Sequence, residues 1–129
     1  MSTTPLTLFR NRSKIYDVVP RDRDNNLIDS GSIAQIWFIA KRSMAQVDDE
    51  AIFEKTLGDG IESVSDALDT DGNTYAGYRI TLSDSDTESL ENEEIILEYE
   101  LSLQDTTDLT YALQNGPLIV LPNILLTTT

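Results

Sequence analysis

Residues 75–105, YAGYRITLSDSDTESLENEEIILEYELSLQD, decide the fold. Apolar side chains fall at every second position twice: first at Tyr78, Ile80 and Leu82, then at Ile95, Leu97, Tyr99, Leu101 and Leu103. A period of two puts each set on one face of a β-strand. Between them lies Ser83-Asp-Ser-Asp-Thr-Glu-Ser-Leu90, rich in residues that favour turns and helix N-caps. The stretch therefore predicts strand, one short helical turn, strand.

The flanking segments continue the pattern. Residues 3–9 place Leu6 and Leu8 on one face, with Pro5 near the start, which suits an edge strand. Residues 15–19 present Ile15, Asp17 and Val19 on one face and Tyr16 and Val18 on the other, and Pro20 ends the run. Residues 21–26, RDRDNN, have turn composition. The most apolar strand is 32–41, with Ala34, Ile36, Phe38 and Ala40 opposite Ile33, Gln35, Trp37, Ile39 and Lys41. Residues 43–50 read as a polar loop, 51–57 as a strand, Gly58-Asp-Gly60 as a turn, 61–64 as a short strand and 66–73 as an acidic turn. Residues 105–108 make a hairpin loop, and 110–114 and 118–121 are the last strands, split by Asn115-Gly-Pro117. Short strands separated by regular turn signals argue an all-β sandwich. At 129 residues the chain is most simply one domain, 1–129, with a short apolar C-terminal arm, 123–129.

Composition excludes much chemistry. The chain has no cysteine, hence no disulfide and no thiol site, and no histidine, the commonest general base and metal ligand. Its 23 acids and 9 bases give a net charge of −14, which repels phosphate backbones and argues against direct nucleic-acid binding. Only Lys14, Lys41 and Lys55 are lysines. An acidic, lysine-poor surface suits high salt, although a soluble acidic protein is the simpler reading. No apolar run reaches the roughly 18 residues that a membrane span needs, and no signal-peptide pattern opens the chain.

Candidate chemistry is sparse. Asp69 and Asp71, and Asp84 and Asp86, place oxygens at alternate positions as calcium loops do, but neither segment carries the full EF-hand pattern. An Asp-rich turn and an N-capped helical turn account for them more simply, since Asp is common in turns for purely local reasons. Serines and threonines lack a histidine partner, and no Gly-rich phosphate loop is present, so the sequence argues against an enzyme and implies no cofactor. Trp37 and Ile39 face away from Ile36 and Phe38, as interface anchors do, unless residues 43–50 cover them. Ile124, Leu125 and Leu126 are unusually apolar for a free tail, unless the arm extends the last strand and packs on its own core.

Taken in order, Tyr16-Asp-Val-Val19, Leu27-Ile-Asp29 with Gly31, Ile36-Trp-Phe-Ile-Ala-Lys41, Lys55-Thr56, Gly60-Ile61, Gly77 through Thr87, Tyr99 through Asp105 and Gly116 through Pro122 form a recognisable series. This series resembles the small β-sandwich virion proteins of tailed phages, and is similar to the N-terminal domain of phage baseplate upper proteins. The resemblance spans about residues 6–122, with longer segments at 43–49 and 65–73 and a more acidic surface. It implies an immunoglobulin-like antiparallel β-sandwich of about 7–9 strands, with one short helical turn near 84–90. It also implies a non-enzymatic virion structural protein in the tail or baseplate, docking other virion proteins; a homo-oligomer or symmetric assembly is expected, and the lack of a long apolar run argues against a membrane partner. Leu6, Leu8, Trp37, Ile39, Ile124, Leu125 and Leu126 are then the expected interface. The alternatives are a capsid decoration or cement protein, and a calcium- or carbohydrate-binding module using the acidic loops.

Overall fold

The alternating stretch forms the two strands it predicts, because the inward sets bury, Ile95 only in part, while most of the polar residues between stay in contact with water. The computed structural model describes residues 2–10, 12–22, 24–43, 51–88, 90–91 and 93–122. The strands are β1 (Ser2–Thr3), β2 (Leu6–Phe9), β3 (Lys14–Val18), β4 (Ile33–Lys41), β5 (Phe53–Leu57), β6 (Gly60–Leu68), β7 (Thr74–Leu82), β8 (Ile95–Asp105) and β9 (Thr110–Leu121). They hydrogen-bond in the order β1-β9-β8-β4-β5-β6-β7-β3, with β2 also beside β9. The protein is all-β: two layers face each other, joined into one sheet that nearly closes into a flattened barrel.

The layers are joined at a corner. Thr56 pairs with Gly60 and Leu57 with Ile61 in a short parallel register. Residues 53–68 thus run in one direction and step sideways at Gly58-Asp-Gly60, where the amide of Gly58 donates to the Ile61 carbonyl at 2.8 Å. Gly58 and Gly60 have φ of 91° and 93°, backbone open to glycine at little cost. Such jogs are how strands change layers in β-sandwiches.

The other junction is a seam. β2 and β3 are the outer strands and do not pair with each other. Side chains bridge them instead: Lys14 Nζ donates to the Thr7 carbonyl at 3.0 Å, and the Tyr16 hydroxyl donates to the same oxygen at 3.2 Å.

The core lies between the layers. Ile36, Phe38, Leu97, Tyr99, Leu101, Leu103, Leu118 and Val120 come from one side and Ile61, Tyr78, Ile80 and Leu82 from the other. Phe38 stacks between Phe53 and Tyr99 at centroid separations of 6.0 and 5.4 Å. Full burial of such a side chain contributes roughly 1.5–3 kcal/mol. Tyr99 also holds the N-terminal segment: its hydroxyl donates to the Thr4 carbonyl at 2.5 Å and accepts from Gln114 Nε2 at 2.7 Å.

The expected helical turn is a 3-10 turn, Asp84–Thr87. Asp86 closes it by accepting the Ser83 amide on Oδ2 at 2.8 Å.

Several expectations are corrected. Ala34 is exposed rather than core, because a bulge between Ile33 and Gln35 reverses the parity and turns Ile33 inward. The side chain of Gln35 ties this bulge down, accepting the amides of Ile36 at 3.0 Å and Leu57 at 2.9 Å. β6 continues to Leu68, beyond the expected end at 64, through an irregularity between Val64 and Ala67. The final two strands are one, since Gly116-Pro117 lies opposite the Thr4-Pro5 break between β1 and β2. Both prolines thus sit where the ladder is interrupted and lose no bond there. The pairings β1–β9, β2–β9 and β5–β6 are parallel, in a sheet otherwise antiparallel. The proposed cover at 43–50 and the arm at 123–129 fall, apart from Ser43, outside the described residues.

Candidate interaction surfaces

Three of the four candidate metal ligands lie against protein cations. Asp69 Oδ2 accepts from Arg21 at 2.6 and 3.2 Å, and Asp71 lies 3.7 Å from the same guanidinium. Asp71 also accepts the Tyr75 hydroxyl at 2.7 Å, which, with the Asn73 amide, holds its carboxyl below the usual range. Asp86 is paired with Lys55 Nζ at 2.9 Å, both side chains mostly buried. Asp84 is exposed on the 3-10 turn. Among the described residues no three acidic side chains gather as a metal site would require.

The predicted interface residues divide. Leu8 is in the core, because β2 turns it inward toward Leu118 and Val120, and Leu6 packs partly against the same cluster. That removes Leu8 as a docking side chain. Trp37 and Ile39 do lie on the outer face of β4, opposite in parity to Ile36 and Phe38. Yet Ile39 is only 8% exposed, so this part of the face is already closed within the chain, while Trp37 stays half-buried between Thr56 and Ser102. Ile124, Leu125 and Leu126 lie outside the described residues.

Two outer surfaces were missed by the sequence reading. On the first layer, Ile96 faces Ile119 across β8 and β9, and Leu121 faces Phe9 across β9 and β2. Ile96 is 60% exposed and Phe9 39%, and the Arg12 guanidinium lies 5.6 Å over the Phe9 ring. These side chains make one apolar diagonal over three strands. A shallow concavity of about 430 Å³ continues it along Glu98, Gly116 and Pro117. The available signal was that Ile95-Ile-Leu97 and Leu118-Ile-Val-Leu121 are apolar at both parities, so one side chain of each run must face outward.

On the second layer, Ile15 is 59% and Leu68 57% exposed. They line a groove of about 580 Å³ with Asp17, Asp69, Thr70 and Arg79. Arg79 forks onto Asp17, with Nε donating to Oδ1 at 2.8 Å and Nη2 to Oδ2 at 3.1 Å. That pairing holds the Asp17 carboxyl below its ordinary range. Asp66, at 3.6 Å, and Glu62 add two further carboxylates around the same guanidinium. This face is therefore apolar with an excess of negative charge.

Both concavities are open grooves rather than enclosed clefts, and no helix of the described residues is long and apolar enough to cross a membrane. No known protein family, curated protein or solved structure matches the chain.

Proposed function

We propose that the protein is a non-enzymatic structural subunit of a tailed-phage particle, located in the tail or baseplate, where it docks other virion proteins. The observation that carries the docking reading is the apolar diagonal Ile96, Ile119, Leu121 and Phe9 on the outside of a chain with net charge −14. Such a surface costs solubility unless a neighbour covers it. The placement in a tailed phage rests on the sequence series described above.

The test is fractionation of purified particles into heads and tails, with the protein followed by mass spectrometry. The expected result is a fixed copy number in the tail fraction. Recovery only in the soluble fraction of infected cells overturns the reading. Recovery on heads favours the capsid-decoration alternative. A calcium-binding module is disfavoured by the ion pairs of Asp69 and Asp86 with Arg21 and Lys55. Calcium should leave the melting temperature unchanged, since only a ligand that binds the folded state raises it.

A further inference from the structure

From the two outer surfaces we infer that the protein associates with a second copy of itself head to tail, the apolar diagonal of one copy seating in the Ile15–Leu68 groove of the next. The inference deepens the structural-subunit reading by naming the partner, but it stands on different observations.

The first is charge. Three of the nine bases, Arg10, Arg12 and Lys14, lie within five residues at the β2–β3 connection, beside Phe9. Arg10 is engaged with the carbonyls of Leu90 and Glu88, and Lys14 with that of Thr7. Arg12 is exposed, stacked on Phe9, and forms no ion pair among the described residues. The diagonal is thus an apolar surface with a cation at its Phe9 end and Glu98 along its continuation past Ile96. The groove is its complement: exposed Ile15 and Leu68, with Asp17, Asp66 and Glu62 around Arg79, and Asp69 paired with Arg21. Two grooves facing each other would bring their surplus carboxylates together. Diagonal against groove pairs apolar with apolar and cation with anion.

The second is placement. The diagonal lies on β2, β9 and β8 of one layer and the groove on β3, β6 and β7 of the other. The two surfaces are different patches of one molecule, so each copy keeps one free after the first contact. Such heterologous contacts propagate into a closed ring or an open stack.

Ile96→Glu and Leu68→Glu test this. Both residues are more than half exposed, so both variants should melt within a few degrees of the parent, as surface substitutions do. The parent protein should grow from monomer to dimer and larger species with concentration in native mass spectrometry and light scattering. Each variant alone should remain monomeric. An equimolar mixture should form a one-to-one dimer and nothing larger, because each variant retains one intact surface. Arg12→Glu should weaken parental association at least tenfold. A parent that stays monomeric at every concentration overturns the inference. So does self-association of Leu68→Glu with Ile96→Glu monomeric, which marks a symmetric contact through the diagonal. A monomeric parent found in purified tails would overturn the head-to-tail contact alone and leave the virion reading standing.

Discussion

The flattened barrel has two junctions, made in opposite ways. At the corner, Gly58-Asp-Gly60, the main chain itself passes between layers and the parallel pairs Thr56–Gly60 and Leu57–Ile61 fasten the step. At the seam, β2 and β3 share no ladder, and two side chains from β3 reach one carbonyl of β2. The corner depends on backbone angles that few residues adopt; the seam depends on side-chain groups that many variants retain in part. The corner should therefore be brittle to substitution and the seam tolerant.

The largest expected effect is at the corner. In Gly60→Ala the new methyl falls on the Lys55 side chain at a φ of +93°. Lys55 has little freedom to yield because its ammonium is held by Asp86. A loss of about 3 kcal/mol is expected, read as a lowered urea midpoint. Lys55→Met comes next, at roughly 2 kcal/mol, since it leaves the Asp86 carboxylate mostly buried without its cation. The double variant should lose less than the sum, because both changes disturb the same Lys55–Asp86 pair. Full additivity would separate the corner from the 3-10 turn.

At the seam, Tyr16→Phe removes one of two donors to the Thr7 carbonyl and should cost about 1 kcal/mol. The same residue sets an alkaline limit. Burial, helped by the nearby Tyr99, pushes the Tyr16 hydroxyl up to about 12 from an ordinary value near 10. A folded pKa above the unfolded one means the stability is fully present below pH 10. It is then lost as pH rises toward 12, because the unfolded chain ionises first. Tyr16→Phe should flatten that part of the profile, leaving a smaller slope from Tyr78 and Tyr99, which burial also raises. An unchanged alkaline profile in this variant would mean that the seam does not govern it. Lys14→Met should have the smallest effect, under about 0.5 kcal/mol, because the ammonium is exposed and Tyr16 still serves the carbonyl.

The corner and the seam also mark how far the sequence was readable. Strict alternation at Tyr78, Ile80 and Leu82, and from Ile95 to Leu103, gave strands and inward faces directly, since every inward residue there is apolar. Ser83 and Asp86 announced the capped turn through local chemistry alone. Gly58-Asp-Gly60 was legible as a turn but not as a change of layer, because the same glycines serve a hairpin. Ala34 was misplaced because the bulge that reverses β4 is fixed by Gln35 reaching Leu57, a contact between strands. Gly116-Pro117 read as a break because proline interrupts most ladders, and only the facing Thr4-Pro5 makes it harmless. The outer patches were hidden for a related reason: Ile96 and Phe9 join through Ile119 and Leu121, which requires the register of three strands.

The pairing of β2 with β9 has a consequence for how the protein is made. Leu6 leaves the ribosome long before Leu118, yet the two lie side by side. Tyr99 and Thr4, joined through the buried hydroxyl, stand 95 residues apart. β2 therefore waits, without its ladder partner, until β9 has been made. Closing so long a loop is entropically slow. Folding cannot finish in the order of translation, and a chain halted before Leu118 has no ladder partner to give β2.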